Sequence, residues 1–364
     1  MSRGPDNYLE APPSADDERV QISLLTGFLG SGKTTLLNAL LKHPEMGETA
    51  VLVNEFGEIG IDHQLIEKID EETILLNAGC LCCSVRGDLA RALRELSVKR
   101  ARGEIPRITR VLIESTGLAD PAPIIQTLIS DPIVSERFTL DGIVTTIDAV
   151  LGEGQFDDHE ESVKQVAVAD RIVMTKCDLA TAEGIKSLDA RLTELNPAAP
   201  VTRALHGEIH PDQLFNAGLY DPATKSLDVQ RWLRDEAYGE DGHHHSHDVN
   251  RHDANIRAFC ITYDEPLVWE AFVAWVRTLT AVYGAKLLRI KGIVNIQGQE
   301  NPIAIHGVQH MFHDPVELPA WPDDDRRSRM VFITNGLDPA DLEKKLTNLQ
   351  NAATGETGSP KLIS

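Results

Sequence analysis

The chain has 364 residues, of which 42% are hydrophobic, and this length and composition indicate a globular protein with two domains. The 35 basic side chains against 56 acidic ones give a formal net charge of -21. This acidic balance argues against nucleic acid and anionic membranes as partners, because both would be repelled. It is compatible with the binding of cations.

Targeting signals and disulfides are not evident in the sequence. No apolar run reaches the ~18 residues that span a bilayer. Residues 1–19 carry acids and prolines without an apolar segment, so they predict a disordered leader rather than a signal peptide. Three of the 5 cysteines crowd together at Cys80, Cys82 and Cys83, which is a poor disulfide framework. We therefore expect reduced thiols and a cytoplasmic protein.

The first half of the chain alternates short β-branched runs with helical patterns. The predicted strands are 20–26, 49–54, 73–77, 107–115, 140–148, 171–176 and 200–204, and the predicted helices are 33–42, 88–100, 121–130 and 183–195. Nearly continuous apolar strands are typical of a parallel sheet that helices cover on both faces. The pattern predicts a doubly wound α/β domain over 20–220.

A phosphate-binding motif lies between the first predicted strand and the first predicted helix. The sequence GFLGSGKT fits G-x-x-x-x-G-K-[ST], whose backbone N–H groups and helix N-terminus bind phosphates. Lys33 would reach the β- and γ-phosphates, Thr34 would hold Mg²⁺, and Thr35 would contact the α-phosphate. A glycine-rich turn that binds nothing is the alternative. The predicted nucleotide ligands are Gly27, Gly30, Ser31, Gly32, Lys33, Thr34 and Thr35.

Acidic residues follow two later strands. The run VLIESTG contains Glu114, which would hold Mg²⁺ or orient the attacking water, and Gly117, whose N–H would contact the γ-phosphate. Asp148 ends the strand IVTTID and is a second candidate near the metal. A helix cap or a turn is the alternative role for either acid.

A base-recognition element follows the strand RIVM, where Thr175, Lys176 and Asp178 stand in the sequence TKCD. Guanine-specific P-loop proteins carry Asn-Lys-x-Asp at this point, and its Asp accepts hydrogen bonds from N1 and N2 of guanine. The element favours GTP over ATP, although Thr replaces Asn. A helix N-cap at Asp178 is the competing interpretation.

The run GCLCCS at 79–84 contains the three clustered cysteines, and thiolates are preferred by zinc and Cu(I). Its spacing is tighter than that of structural zinc sites, so an incomplete, labile site that suits metal transfer is predicted. Buried apolar cysteines and a redox pair are the alternatives.

Two further segments carry candidate metal ligands. The loop NEFGEIGIDH at 54–63 offers Glu55, Glu58, Asp62 and His63, and a loop here that responds to the γ-phosphate would couple metal affinity to hydrolysis. The polar linker at 221–255 contains His243, His244, His245, His247 and His252, which would bind zinc, nickel or cobalt weakly. A solvated acidic turn and a passive linker are the respective alternatives.

The second half changes its pattern. Strands are predicted at 256–264, 286–296, 303–312 and 330–336, and helices at 268–283 and 338–352. With turns at Gly292 and Gly298, they predict an antiparallel α+β domain over 256–352, followed by a disordered tail at 353–364. On a regular strand His306 and His310 would share one face. We expect these two and His313 to be core or interface histidines rather than metal ligands.

These motifs together resemble the CobW family of metal-handling GTPases. The resemblance is carried by GFLGSGKTTLLN, VNEFGEIGID, NAGCLCCS, ESTGLADP, TKCD and HGVQHMF, and it covers the chain from Val20 to Gln350. It implies a GTPase domain of the SIMIBI class, a smaller CobW C-terminal domain, and slow GTP hydrolysis with Mg²⁺. It also implies that zinc or cobalt binds at the three clustered cysteines, with Cys82 central and Glu58 nearby, and that Glu114 is the acidic switch position.

This chain departs from the family pattern at two positions. Val53 stands where some relatives have an additional acid, and Thr175 stands where Asn is common. Our working hypothesis is that GTP with Mg²⁺ orders the loop at 54–63 and completes the metal site at the cysteines, and that a client metalloprotein triggers hydrolysis and receives the ion. Self-association as a homodimer remains open. The alternatives are cobalt delivery for cobalamin biosynthesis, a nucleotide-regulated zinc store or sensor, and an ATP-dependent kinase.

Overall fold

A computed structural model describes residues 19–53, 74–77, 85–215 and 255–355. These residues belong to two compact units, one within 19–215 and the other within 255–355. In the described ranges, no helix combines the length and the apolar character needed to cross a membrane.

The first unit is built on a seven-stranded sheet whose neighbouring strands all run parallel, in the order β3-β2-β4-β1-β5-β6-β7. The strands are β1 (Val20–Gly27), β2 (Thr49–Val53), β3 (Ile74–Asn77), β4 (Arg110–Glu114), β5 (Phe138–Asp148), β6 (Arg171–Thr175) and β7 (Val201–Arg203). Strands β1, β2 and β5 are buried along almost their whole length, because their apolar runs face helices on both sides. The predicted doubly wound α/β class is confirmed.

Seven helices connect these strands in the described part of the chain. They are α1 (Lys33–Leu41), α2 (Val85–Ala101), α3 (Ala122–Ser130), α4 (Pro132–Arg137), α5 (Gly152–Asp158), α6 (Glu160–Ala167) and α7 (Ala182–Leu195). The sequence analysis did not predict α4, α5 or α6. Each has 6 to 8 residues, which is too short to display a 3.6-residue period in a window of ~11–18 residues.

Packing of α1 fixes the phosphate-binding motif to the sheet. Leu36, Leu37 and Leu40 are buried in one cluster with residues of β1, β2, β4, β5 and β6. A helix held in this way cannot move without opening the core, so the loop that precedes it has a fixed end.

The second unit contains a six-stranded sheet with the order β11-β10-β9-β13-β8, to which β12 is added beside β10. Its strands are β8 (Ile256–Tyr263), β9 (Leu287–Val294), β10 (Ile303–Val308), β11 (Met311–Phe312), β12 (Val316–Glu317) and β13 (Ser328–Asn335). All strand pairs are antiparallel. Helices α8 (Trp269–Tyr283) and α9 (Pro339–Thr354) pack on it around the buried side chains of Phe272, Trp275 and Phe332. The predicted α+β class of this part is confirmed.

Two local predictions in this unit were wrong. The expected strand at 303–312 is broken into β10 and β11 by a tight turn, in which Gln309 has a φ of 52°. His310 therefore lies in the turn and does not share a strand face with His306. Gly292 lies inside β9 rather than in a turn. A Cβ there would stand 2.8 Å from Met330 Cγ, so the close packing of β13 accounts for a glycine within this strand. Gly298, with a φ of 83°, lies between β9 and β10 as expected.

Candidate functional site

The carboxyl ends of four parallel strands bring the predicted site residues to one edge of the sheet. Strand β1 ends at Gly27, β4 at Glu114, β5 at Asp148 and β6 at Thr175. The register pairs Leu25 with Glu114 and Asp148 with Thr175. This edge is where open α/β sheets bind their ligands.

The phosphate-binding loop has the backbone that its glycines permit. Gly27, Gly30 and Gly32 have φ values of 139°, 72° and 93°. A Cβ at Gly27 would lie 2.3 Å from Thr146 Oγ1, so only glycine fits between β1 and β5. Ser31 is buried, and its hydroxyl lies 2.6 Å from that of Thr146. The loop is thus held against β5 in a single shape.

Lys33 extends back over this loop. Its ammonium donates to the carbonyl oxygens of Gly27, at 2.9 Å, and Phe28, at 3.0 Å, and the residue is only 8% exposed. The positive charge therefore lies within the concave side of the loop, at the N-terminal end of α1. Both features favour an anion at this place.

Thr34 and Glu114 form a pair of oxygen donors beside the loop. The Thr34 hydroxyl donates to Glu114 Oε1 at 2.7 Å, and Glu114 is buried at the end of β4. Hard oxygen ligands of this kind suit Mg²⁺, so these residues fit the ion that the sequence predicted here.

The segment after β4 is pressed against the phosphate-binding loop. A Cβ at Gly117 would lie 2.7 Å from the backbone nitrogen of Leu29. Gln165 of α6 donates from Nε2 to the carbonyl oxygens of Gly117 and Ala119, at 3.2 and 3.0 Å. Gln165 is fully buried and positions this segment, and the sequence analysis missed it because α6 was not predicted.

Asp148 has both carboxylate oxygens engaged. Oδ1 accepts from the backbone N–H groups of Val150 and Leu151, at 2.8 and 3.2 Å, and Oδ2 accepts from Lys176 Nζ at 2.6 Å. This is the geometry of the turn role that the sequence left open for this acid. The same ammonium donates to Gly30 O at 2.8 Å, which connects the segment after β6 to the phosphate-binding loop.

Thr175 is bonded to the loop as well. Its buried hydroxyl donates to Ser31 O at 2.7 Å and to Ile147 O at 3.1 Å. The threonine at this position thus uses its hydroxyl to fasten β6 to the loop. Lys176 has a φ of 55°, an uncommon value for a residue with a side chain. Asp178 is exposed beyond it, where a ligand can reach its carboxylate.

The connection after β7 lies next to Thr35, which the structure leaves exposed on α1. A Cβ at Gly207 would stand 2.8 Å from Thr35 O, so this loop lies directly on the helix that follows the phosphate-binding loop. The sequence analysis did not name it, since nothing in ALHGEI distinguishes a site from an ordinary turn.

The predicted ligands of the transferred metal ion belong to three other segments of the chain. Those at Glu58, Cys80, Cys82, Cys83, His243, His244, His245 and His247 lie outside the described residues. Strand β2 precedes Glu58, and β3 precedes the three cysteines. Both strands end at this edge of the sheet, because Val53 of β2 pairs with Asn77 of β3 and with Glu114 of β4.

A parallel sheet with this loop and lysine at its carboxyl edge defines a P-loop nucleotide-binding domain. The family model described as the CobW/HypB/UreG nucleotide-binding domain matches residues 21–203. The model described as the cobalamin synthesis protein cobW C-terminal domain matches residues 256–350. The chain therefore belongs to the CobW/HypB/UreG family.

Several characterised proteins resemble the chain over most of its length. It is 34% identical over 314 residues to the zinc chaperone YjiA of Escherichia coli, with 86% of this chain and 93% of that protein covered. It is 30% identical over 361 residues to the zinc chaperone CobW of Pseudomonas aeruginosa, which covers 90% of this chain and 91% of that protein. The crystal structure of Zn(II)-bound YjiA GTPase from E. coli matches with a TM-score of 0.68 at 30% identity, over 91% of this chain and 99% of that one.

Proposed function

We propose that this chain is a metal-binding GTPase that acts as a zinc chaperone, in which GTP binding and hydrolysis are coupled to transfer of the ion to a client protein. The observation that carries the proposal is the arrangement of Lys33, Thr34 and Glu114 around the phosphate-binding loop, in a chain that is 34% identical over 314 residues to a protein named as a zinc chaperone. The client, a homodimer and a cytoplasmic location remain predictions from the sequence.

The nucleotide would lie along the carboxyl edge of the first sheet. Backbone N–H groups of Gly30, Ser31 and Gly32 and the ammonium of Lys33 would bind its phosphates, with Thr35 at the α-phosphate. Lys33 would exchange its contacts with the Gly27 and Phe28 carbonyl groups for contacts with phosphate oxygens. A charged phosphate is the stronger acceptor, so this exchange favours binding.

Thr34 and Glu114 would hold Mg²⁺, which when bound neutralises charge on the phosphates. Without the ion, the Thr34 hydroxyl donates to the Glu114 carboxylate, and this hydrogen bond keeps Thr34 Oγ1 and Glu114 Oε1 next to each other. Gly117 lies close enough to the loop for its N–H to sense the γ-phosphate, as a switch residue would.

Base selection would fall to the segment after β6. Asp178 is exposed and would accept the two donors of guanine, which adenine does not offer. Thr175 takes no part in this contact, because its hydroxyl is already bonded to the Ser31 and Ile147 carbonyl groups. The loop at Gly207, next to Thr35, would close the other side of the base pocket.

Zinc is the cargo in this proposal, and thiolates of Cys80, Cys82 and Cys83 with Glu58 would bind it. Strand β2, which precedes the segment carrying Glu58, ends beside Glu114, and β3, which precedes the cysteines, ends one strand further along the same edge. A change in the occupancy of the γ-phosphate site would reach the start of the first segment through β4 and β2, and that of the second through β3 as well.

The experiment is a zinc-affinity measurement by competition with a chelator, with a non-hydrolysable GTP analogue and again with GDP. We expect at least tenfold tighter binding with the analogue, a coupling free energy of about 1.4 kcal/mol. Cys82→Ala should remove both the tight binding and its dependence on nucleotide. Cys260→Ala is the matched control, because it also removes one thiol, but from β8 of the second unit.

Equal zinc affinity in the two nucleotide states would overturn the coupling, since a ligand without differential affinity shifts no equilibrium. A zinc store or sensor would then be the better description. Loss of affinity in Cys260→Ala but not in Cys82→Ala would place the ion elsewhere.

A further inference from the structure

Two short sequences of the same type face each other on the surface of the first unit. His43-Pro44-Glu45 and His210-Pro211-Asp212 each place a histidine before a short 3-10 helix that begins at the proline. The two imidazole rings lie 4.8 Å apart between centroids, at an interplanar angle of 74°. None of the four polar side chains takes part in the nucleotide site described above.

The donor atoms of this cluster are close together. One donor atom each from Glu45, His210 and Asp212 lie within 4.8 Å of one another. His210 Nδ1 lies 3.4 Å from Asp212 Oδ2, and His210 Nε2 lies 4.0 Å from Glu45 Oε1. His43 Nδ1 is 4.0 Å from the other oxygen of Glu45. Glu45, His210 and Asp212 supply three ligands. The His43 imidazole, whose ring centroid lies 4.8 Å from that of His210, is near enough to supply the fourth that a tetrahedral zinc ion takes.

The backbone under the cluster is fixed while its side chains can turn. Met46, Leu214 and Phe215 follow the two sequences and are buried in one hydrophobic cluster with the leucines of α1. The imidazoles accept long hydrogen bonds from the backbone N–H groups of Glu45, at 3.3 Å, and Asp212, at 3.4 Å. Such bonds are weak, so little is lost when the rings rotate to bring their donors to the separation of about 3.4 Å that tetrahedral zinc bonds of 2.0–2.1 Å require.

We propose that His43, Glu45, His210 and Asp212 bind a borderline divalent cation such as zinc, at a surface site that shares no residue with the nucleotide site or with the cysteine motif. Imidazole ligands select zinc, cobalt or nickel over Mg²⁺ and Ca²⁺, which prefer oxygen alone. The bound ion ties the end of α1 to the connection after β7, where Gly207 lies against Thr35.

Arg110 sets a limit on the affinity of this site. Its guanidinium stacks on the Phe215 ring, with 4.4 Å from Cζ to the ring centroid, and it interacts electrostatically with Glu45 and Asp212. The arginine thus neutralises part of the charge that would attract the ion. Zinc binding here should be weaker than at the predicted thiolate site.

The test counts zinc ions on the full-length chain by equilibrium dialysis, after the other predicted ligands are removed. Cys80, Cys82 and Cys83 are replaced by Ser, and His243, His244, His245 and His247 by Asn. We expect this background to retain one zinc per chain and to retain no Mg²⁺ at the same site. His210→Ala and Asp212→Asn should each weaken zinc binding by at least about tenfold, because loss of even an outer-shell partner of a metal ligand costs 10–100-fold.

Glu48→Gln is the matched control, since Glu48 is an exposed acid on the same loop that pairs with Arg107 and lies outside the cluster. Its zinc count should equal that of the background. No zinc on the background chain, or equal affinity in the background, His210→Ala and Asp212→Asn variants, would overturn the site. Neither outcome bears on the GTP dependence of zinc binding at Cys82, which the previous experiment measures in the unmodified chain.

Discussion

His306 is an ionisable residue placed deep inside the second unit. It is 2% exposed, and neither of its ring nitrogens has a hydrogen-bond partner in the part of the chain that the structure describes. Burial lowers the pKa of this imidazole well below its usual value, and the positive charges of Arg289 and Lys291 and the neighbouring His313 lower it further. His306 is therefore neutral in the folded protein at neutral pH.

This depressed pKa predicts a loss of stability in mild acid. Above the ordinary histidine pKa of ~6.5 the ring is neutral in the folded and the unfolded chain, so it adds no pH dependence. As the pH falls below that value, the unfolded chain binds a proton that the folded protein does not, and the free energy of unfolding decreases. Between pH 7.5 and 5.5 we expect a loss of about 1 kcal/mol from this residue.

The measurement is urea unfolding at the two pH values, followed by tryptophan fluorescence. His306→Gln should lose this share of the pH dependence, while His310→Gln, an exposed histidine in the adjacent turn, should retain it. An identical pH dependence in the wild type and His306→Gln would show that His306 is protonated in the fold. Asp325, whose pKa is lowered by its hydrogen bond from Arg327, stays ionised over this pH range in both variants and does not affect the comparison.

At the scale of elements, the segment after β4 and the phosphate-binding loop are packed backbone to backbone at Gly117. A Cβ there would lie 2.7 Å from Leu29 N and 2.8 Å from Leu29 Cα, so a side-chain rotation alone cannot make room. Gly117→Ala must therefore displace the loop. Overpacking of this kind costs about 1–3 kcal/mol, and we expect roughly tenfold or greater loss of GTP affinity.

Isothermal titration with a GTP analogue measures this effect, and phosphate release reports whether hydrolysis falls with it. Gly154→Ala is the matched control, because a Cβ at this glycine of α5 meets no atom within 4 Å. That variant should bind nucleotide normally and gain a few tenths of a kcal/mol in stability. Normal GTP affinity in Gly117→Ala would mean that the loop adjusts freely to the segment after β4.

The sequence predicted most of the strands and the longer helices, but not every turn or side-chain contact. Strands β1, β5 and β6 and helices α1 and α7 were predicted, since long apolar or amphipathic runs determine them locally. The turn at Gln309 was missed, because it places a non-glycine residue at positive φ in a run of strand-forming residues. Side-chain contacts such as that of Gln165 with Gly117 join segments far apart in the chain, and no local pattern encodes them.

At the candidate site, the residue types that bind phosphate and Mg²⁺ were easier to predict from the sequence than the hydrogen-bond partners of individual side chains. The motif GFLGSGKT and the acid Glu114 were recognisable because phosphate and Mg²⁺ each demand particular residue types. The contact of Thr175 with the phosphate-binding loop was not, since the sequence gives no reason for a threonine hydroxyl to donate to Ser31 O rather than to a ligand. The roles of the phosphate-binding residues, of Glu114 at Mg²⁺, and of the cysteines and Glu58 are all still predictions.

At the scale of the whole molecule, each unit has its own sheet and its own hydrophobic core. Units of this kind are expected to fold separately unless a large apolar interface joins them. Tryptophan reports mainly on one of them, because Trp269, Trp275 and Trp321, three of the 4 in the chain, belong to the second unit. Far-UV circular dichroism reports on both units, so the two signals can be compared in one sample.

Nucleotide binding then predicts different shifts in the two signals. A GTP analogue at 100 times its Kd should stabilise the first unit by about 2.7 kcal/mol, because it binds only the folded form. We expect the corresponding part of the circular dichroism transition to move to higher temperature, while the tryptophan transition stays where it was. Lys33→Ala removes the phosphate-binding ammonium and should abolish the shift. If the tryptophan transition moves by the same amount, the two units unfold as one cooperative structure, and nucleotide binding at the first unit is energetically linked to the second.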